Sequence, residues 1–143
     1  MVNKMRLIFA LSVCSSVLLA QCPSPGTWKP ADKSFTQIVD KQGDNLRVTT
    51  TAVSSDGSRW ILKYTVPING GLGQVEESTG RFDTVTSKLA GPLVRENTFT
   101  RGGKQVRFDR VVCSEDGKTR RHTESGVDIN GKPFHGTDLA TKQ

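Results

Sequence analysis

The chain has 143 residues and a formal net charge of +6. Removal of a predicted leader of 21 residues leaves 143 − 21 = 122 residues, which suffice for one domain and exclude a second. Only 35 of these 122 residues are apolar, which is few for a fold with a completely dry core. We therefore expect polar side chains in the interior.

The first residues have the pattern of a signal peptide. Lys4 and Arg6 precede an apolar stretch over residues 7–20, which is shorter than the roughly 20 apolar residues that a membrane span needs. Residues 19–22 (Leu-Ala-Gln-Cys) also resemble a lipobox, but Gln21 stands where such sites carry a small residue, so lipidation at Cys22 is the less favoured alternative. The sequence thus predicts a cleaved signal peptide over residues 1–21 and a periplasmic or secreted domain over residues 22–143.

The cysteines predict one covalent link. Of the three, Cys14 leaves with the leader. In an exported protein the remaining pair, Cys22 and Cys113, is expected to form a disulfide. No third sulfur and no suitable histidine spacing supports a zinc site, so we expect neither a metal nor another cofactor.

The rest of the chain has the pattern of an antiparallel β-sheet. Residues 22–30 are rich in proline and predict an extended coil. Beyond them apolar and polar residues alternate between regularly spaced glycines, and the pairs Gly102-Gly103, Asp116-Gly117 and Asn130-Gly131 favour tight hairpin turns. No sustained helical period occurs. Strands are predicted over residues 35–41, 45–54, 59–68, 74–77, 81–89, 93–101, 104–114, 118–129 and 133–141.

Side-chain alternation assigns the inner face of the sheet. Two sets of side chains share a strand face and are assigned to the interior: Trp60, Leu62, Tyr64 and Val66 in one strand, and Val106, Phe108, Arg110 and Val112 in another. A mixed inner face of this kind suits a small barrel better than a sandwich, whose inner faces are more purely apolar. The sequence therefore predicts an all-β fold, a single antiparallel up-and-down β-barrel of eight or nine strands.

Two segments resemble a known group of proteins. Residues 26–29 (Gly-Thr-Trp-Lys), followed by residues 32–35 (Asp-Lys-Ser-Phe), resemble the first motif of the lipocalins. Residues 110–119 resemble the late hairpin of small exported bacterial proteins with a lipocalin-like domain, in the calycin superfamily. The resemblance implies an up-and-down barrel in which Trp28 closes one end, and a carrier of small apolar or amphipathic molecules. It implies no catalytic residues.

The expected function is non-enzymatic binding of such a ligand. Its apolar body is expected to contact Trp60, Tyr64 and Phe108, with a carboxylate or phosphate head on Arg110, because a guanidinium inside a barrel needs an anion or several acceptors. Arg110 also has a structural alternative, in which it bonds to an acidic side chain or to carbonyls, or stacks over Trp28. The protein is expected to be a monomer without specific nucleic-acid binding.

Two other function classes rest on charged residues. Between Arg95 and Arg121 the chain has eight basic residues against four acidic ones, which indicates a surface for an anionic envelope component or a solvated strand face. His122 and His135 are expected on adjacent strands, with Glu124 on the face of His122. They could form a proton-transfer pair, although two surface histidines without a shared role are the favoured interpretation.

Overall fold

The computed structural model describes residues 21–32 and 34–143. Within these ranges no helix is long and apolar enough to cross a membrane. The predicted signal peptide falls almost wholly on residues 1–20, outside the described residues. The described residues form eleven strands: β1 (Gly26–Pro30), β2 (Phe35–Gln42), β3 (Asn45–Val53), β4 (Arg59–Pro67), β5 (Gly71–Leu72), β6 (Gln74–Ser78), β7 (Thr84–Gly91), β8 (Val94–Arg101), β9 (Lys104–Cys113), β10 (Thr119–Val127) and β11 (Pro133–Lys142).

The strands form one antiparallel sheet that curls into a nearly closed barrel. Along the sheet their order is β5-β7-β8-β9-β10-β11-β1-β2-β3-β4-β6. Most neighbours are therefore joined by hairpins, while β1 pairs with both β2 and β11 and so links the two halves of the chain. The predicted all-β class and up-and-down arrangement are confirmed.

The barrel comes closest to closing at Gly73, the single residue between β5 and β6. β5 pairs with β7 whereas β6 pairs with β4, so these two short strands are the opposite edges of the sheet. The Gly73 N–H donates to the carbonyl of Val85 in β7 at 2.8 Å. On the other side, a Cβ added at Gly73 would lie 2.2 Å from the carbonyl oxygen of Thr65 in β4. The two edges thus approach so closely that only glycine fits between them.

The number of strands corrects the prediction of eight or nine. β1 lies in the segment predicted as coil because of its prolines. Its one proline, Pro30, is the last residue of the strand, where the missing N–H is tolerated. Trp28 at its centre is fully buried, so tertiary packing stabilises a strand that local pattern does not reveal. β5 has only two residues, too few to show alternation.

A β-bulge in β9 reverses the predicted inner face of that strand. Where β9 pairs with Phe99 and Thr100 of β8, it contains one extra residue, Val106. Val106 and the next residue are consequently both buried. Beyond the bulge the inward side chains of β9 are Arg107, Asp109, Val111 and Cys113. The prediction that Phe108, Arg110 and Val112 face inward is therefore wrong, because alternation restarts after the bulge with the opposite parity.

The apolar core extends through the barrel from the end formed by the β2–β3, β7–β8 and β9–β10 hairpins, which we call the closed end. As alternation predicted, Leu62, Tyr64 and Val66 of β4 are buried there. The ring centroid of Phe99 lies 5.3 Å from that of Tyr64 and 5.2 Å from that of Phe82. The opposite end, with the β3–β4, β8–β9 and β10–β11 hairpins, is called the open end.

The N-terminal segment covers the closed end and is held there covalently. Cys22 and Pro23 are buried. Cys22 forms a disulfide with Cys113 at the end of β9, across a sequence separation of 91 residues. The predicted disulfide is thus present, and it is compatible with an oxidising, exported location.

Arg95 of β8 adds a polar connection at the same end. Its side chain is buried, with Nε donating to the carbonyl of Cys22 at 2.8 Å, Nη1 to Ser87 Oγ at 2.7 Å and Nη2 to the carbonyl of Ile68 at 2.6 Å. Burial lowers the pKa of Arg95 from its usual value. The guanidinium therefore joins three separate parts of the chain. Its hydrogen-bond partners are all neutral oxygens, and none is a carboxylate.

We expect Gly73→Ala to lower the free energy of unfolding by at least about 2 kcal/mol, because the added methyl overlaps the Thr65 carbonyl. Gly91→Ala is the matched control. Its Cβ would meet nothing closer than 3.7 Å, so we expect a change within about 0.5 kcal/mol. Urea unfolding measures both variants, and equal effects would show that the two edges are not in contact at Gly73.

Replacing both cysteines by serine should lower the free energy of unfolding by about 4 kcal/mol, because the loop of the unfolded chain is no longer closed. The wild type in reducing buffer should unfold at the same urea concentration as the Cys22→Ser, Cys113→Ser variant. Intact mass before and after alkylation checks the bond directly, and two free thiols in freshly isolated protein would contradict it.

Candidate functional site

A cavity of about 540 Å³ occupies the barrel interior above the packed closed end. Residues such as Ala52, Gly80 and Ile129 contribute to its lining, and they lie at or beside the connections of the open end. The cavity therefore opens at that end. Much of its wall is apolar, and is provided by Phe35, Trp60, Leu62, Phe82, Val127 and Phe134.

The other part of the lining is charged and comes from three adjacent strands. β9 contributes Arg107 and Asp109, β10 contributes His122 and Glu124, and β11 contributes Asp138. In the sheet register Glu124 pairs with Asp109, and His122 pairs with Asp138. We call these five side chains the charged network. They meet because each lies on the inner face, and neighbouring members are either paired in the register or two residues apart on one strand.

Arg107 connects two carboxylates of the charged network. Its Nε donates to Asp109 Oδ1 at 2.7 Å and its Nη2 to Asp109 Oδ2 at 3.0 Å, which makes a bidentate pair. Nη2 also lies 2.6 Å from Glu124 Oε2. The guanidinium is almost completely buried, so these charged partners are what makes its burial tolerable.

His122 connects Asp109 to the third carboxylate, that of Asp138. Its Nε2 lies 3.2 Å from Asp109 Oδ2, and its Nδ1 lies 3.0 Å from Asp138 Oδ2. Burial by itself would lower the pKa of His122, but the hydrogen bonds and charges of Asp109 and Asp138 outweigh it and raise the pKa to about 9. At neutral pH the ring is therefore an imidazolium that donates from both nitrogens.

Asp109 is the centre of the charged network. Burial by itself would raise the pKa of its carboxyl, but the charge of Arg107 and the hydrogen bond from His122 lower it. Arg107 in turn has a raised pKa, because the charge of Asp109 outweighs the effect of burial. The charges at the base of the cavity are thus fixed around neutral pH.

Aromatic rings surround the Arg107 guanidinium as well. Its Cζ lies 5.6 Å from the ring centroid of Trp60, 5.9 Å from that of Phe82 and 6.0 Å from that of Phe134. These distances are within the range of cation–π attraction. The arginine therefore has both its charge and its position fixed, and the apolar wall begins directly beside the charged network.

Trp28 lies below the cavity and stacks with an arginine. The Cζ of Arg120 lies 5.2 Å from the Trp28 ring centroid, and Arg120 Nη1 donates to Gln37 Oε1. The indole Nε1 donates to the carbonyl of Ser24 at 3.1 Å. Sequence reasoning considered an arginine over Trp28, but it named Arg110. The residue in that position is Arg120, on the next strand.

The four predicted ligand-contacting residues separate into two pairs. Trp60 and Tyr64 line the cavity, and the Tyr64 hydroxyl accepts a hydrogen bond from Asn97 Nδ2 at 3.2 Å. Phe108 and Arg110 lie on the outer face of β9 instead. Arg110 is exposed, and its Nη1 lies 2.5 Å from Glu96 Oε1 on β8. The acidic head group predicted for Arg110 therefore has no anchor inside the barrel at that residue.

The sequence analysis did not predict that the five side chains of the charged network lie together. A signal for it exists in the sequence, because charged residues recur at alternate positions of two neighbouring strands: Arg107 and Asp109 in one, Arg120, His122 and Glu124 in the next. Two-residue spacing places such side chains on one face. Opposite charges on adjacent strands then favour pairing across the sheet.

The basic stretch is divided between the inside and the outside of the barrel. Arg95, Arg107 and Arg120 are buried and belong to the interior. Arg110 is paired with Glu96. The predicted basic surface between residues 95 and 121 therefore loses three of its eight positive charges to the barrel interior.

The two histidines do not meet. His122 lies inside the barrel, whereas His135 is exposed and pairs with Ser125 in the β10–β11 register. The interpretation of both as surface residues is correct for His135 and wrong for His122.

Three potential metal ligands lie close together in the charged network. Ligand atoms of Asp109, His122 and Glu124 are within 4.8 Å of one another. Arg107 already donates to both carboxylates, and both nitrogens of His122 already bond to carboxylates. The position a cation would take between them is thus occupied by a guanidinium, so the donor set does not fit a metal ion.

Comparison of the chain with protein-family models, with curated proteins and with solved structures gives no match. The fold class of the protein is therefore assigned from its structure alone. A nearly closed, up-and-down antiparallel barrel with a cavity open at one end fits a calycin-like fold.

The ionised His122 should make stability depend on pH. Its pKa is about 9 in the folded protein against 6.5 for the free side chain, a difference worth about 3 kcal/mol at roughly 1.4 kcal/mol per pH unit. This stabilisation is complete below the unfolded pKa and is lost as the pH rises through the folded pKa. Urea unfolding between about pH 6 and pH 10 should show the loss.

His122→Gln should remove that dependence, while His135→Gln, which changes an exposed residue, should preserve it. The His122 ring protons should also titrate near pH 9 in NMR spectra. A His122 that titrates near its ordinary value would mean that its contacts with Asp109 and Asp138 are absent in solution.

Proposed function

We propose that this chain is a non-enzymatic, lipocalin-like binding protein for a small apolar or amphipathic ligand, exported to the periplasm or secreted, and monomeric. The observation that carries the proposal is the cavity of about 540 Å³ at the open end. Ligand sites in proteins are concave, mostly apolar and furnished with a few fixed polar groups, with volumes of about 300–1,000 Å³.

The chemistry of the lining supports an amphipathic ligand. Trp60, Phe82 and Phe134 offer aromatic faces to an apolar body. The charged network lies deeper, next to those rings, and offers polar partners to a head group. A ligand that enters from the open end can thus bury its apolar part and still satisfy its polar part.

The state of His122 and Asp109 supports binding rather than catalysis. A general base needs a free lone pair near its substrate. His122 uses both ring nitrogens, and Asp109 uses both carboxylate oxygens, in bonds within the protein. A network held in this way provides fixed electrostatics and no available base on the imidazole.

Two features at the closed end are consistent with a lipocalin-like carrier. An arginine stacks over Trp28, the tryptophan of the motif that resembles the lipocalins. The disulfide and Arg95 hold the N-terminal segment across the same end. Both features keep the closed end rigid and leave only the open end for exchange of a ligand.

The test is binding of neutral N-phenylnaphthylamine, followed by its fluorescence and by energy transfer from Trp60. Ala52→Trp fills the cavity mouth and should weaken binding at least about tenfold, a loss of about 1.4 kcal/mol. Val53→Trp is the matched control on the same strand, because Val53 is 72% exposed, and it should bind like the wild type.

Circular dichroism confirms that both variants are folded. The proposal is withdrawn if neutral, anionic and cationic lipophilic probes all fail to bind the wild type at about 100 μM, a concentration at which even weak carriers are partly occupied. It is also withdrawn if Ala52→Trp binds as the wild type does, because the ligand would then lie outside the barrel.

A further inference from the structure

The polar groups of the cavity differ in how many hydrogen bonds they already make within the protein. This difference indicates which head group a ligand would have. The cationic side chains in the lining are Arg101, Arg107 and His122. Arg101 donates from Nε and Nη2 to the carbonyl of Gly80 and from Nη1 to the carbonyl of Asp128. Arg107 and His122 donate to the carboxylates described above. Most of the hydrogen-bond donors of the three cations are therefore already bonded to protein oxygens.

Glu124 is different, because one of its oxygens is available. Its Oε2 pairs with Arg107, and about a third of the side chain (32%) is exposed. Among the described residues Oε1 has no hydrogen-bond donor. A carboxylate oxygen accepts about two hydrogen bonds, so Glu124 retains acceptor capacity toward the cavity.

The Glu124 side chain lies against a glycine of the neighbouring strand. Gly136 of β11 pairs with Glu124 in the sheet register. A Cβ added at Gly136 would lie 3.3 Å from Glu124 Oε1. Because Gly136 has no side chain, the Glu124 carboxylate can lie against β11 there. We call the position beside Glu124 Oε1, between the inward residues Phe134 and Asp138 of the cavity lining, the recess. The recess is bordered by an aromatic ring on one side and by a carboxylate on the other.

The charges of the lining favour a cation in this recess. Against Arg101, Arg107 and His122 stand four carboxylates, those of Asp109, Glu124, Asp128 and Asp138. Arg120 lies behind the lining, where its unpaired Nε and Nη2 are buried and inaccessible. An anionic head group would therefore find no accessible unpaired guanidinium nitrogen of Arg120, whereas a cationic one would find a free acceptor and excess negative charge.

From these observations we propose that the ligand is an amphipathic amine, whose ammonium group donates to Glu124 Oε1 in the recess at Gly136 and whose apolar body lies against Trp60, Phe82 and Phe134. This inference rests on the proposed binding function and replaces the acidic head group that the sequence suggested. Asp138, beside the recess, adds a second negative charge. The aromatic rings suit the carbons next to an ammonium, since these share its positive charge.

The experiment compares three ligands with the same chain and different heads. Dodecylamine, dodecanol and dodecanoate each compete with N-phenylnaphthylamine at neutral pH. Dodecylamine is expected to displace the probe at least about tenfold more strongly than dodecanol, the gain from one hydrogen bond to a charged group. Dodecanoate is expected to be the weakest of the three.

Glu124→Gln should make dodecylamine and dodecanol equivalent, and Gly136→Ala should do the same, because its Cβ would lie 3.3 Å from Oε1 and crowd that oxygen. Glu96→Gln is the control, because Glu96 pairs with Arg110 away from the cavity. Two substitutions are used because Glu124→Gln also removes a partner of Arg107. N-phenylnaphthylamine affinity reports whether each variant keeps its cavity.

The outcomes separate this inference from the proposed function. If the probe binds but dodecylamine is no stronger than dodecanol, or if dodecanoate is strongest, the amine is overturned and the binding function stands. If neither the probe nor any of the three ligands binds, both are overturned. A preference for dodecylamine that survives both substitutions would place the ammonium elsewhere and overturn the assignment to Glu124.

Discussion

A positive charge buried in a barrel is stable only where oxygens surround it, and the interior of this protein is arranged around that constraint. Arg107 satisfies it with two carboxylates, Asp109 and Glu124. Removal of either carboxylate would leave a buried cation with too few partners, which is far more costly than the loss of a surface ion pair. The register of β9 and β10 must therefore keep Glu124 opposite Asp109 and within reach of Arg107.

Two further buried arginines have neutral hydrogen-bond partners, and those of Arg120 leave its Nε and Nη2 unpaired. Arg95 uses backbone carbonyls and a serine hydroxyl at the closed end, and Arg120 uses a glutamine and the face of Trp28. Burial lowers the pKa of both. The protein thus uses arginine in its interior where a larger domain would use aliphatic side chains. This agrees with the small number of apolar residues in the chain and with a mixed inner face.

Much of the fold could be predicted from local pattern, and the site could not. The glycine-bounded hairpins and the inward face of β4 depend on spacing, and the Cys22–Cys113 pair depends on the number of cysteines that remain after the leader. The sequence displays both directly. The inner face of β9 depends on one bulged residue, Val106, and a single insertion reverses every side chain beyond it. That reversal sends Arg110 outward and brings Arg107 into the cavity. β1 was missed for another reason, since its stability comes from the burial of Trp28 by distant strands.

The pairing of β1 with β11 has a consequence for how the chain is made. Ribosomes deliver β1 first and β11 last, so the hydrogen bonds that join them form only after nearly the whole domain has emerged. Until then β1 and β10 each lack a neighbour, and the N-terminal segment has no Cys113 with which to pair for most of synthesis. The barrel is therefore completed only when β11 is available to β1, rather than strand by strand in chain order.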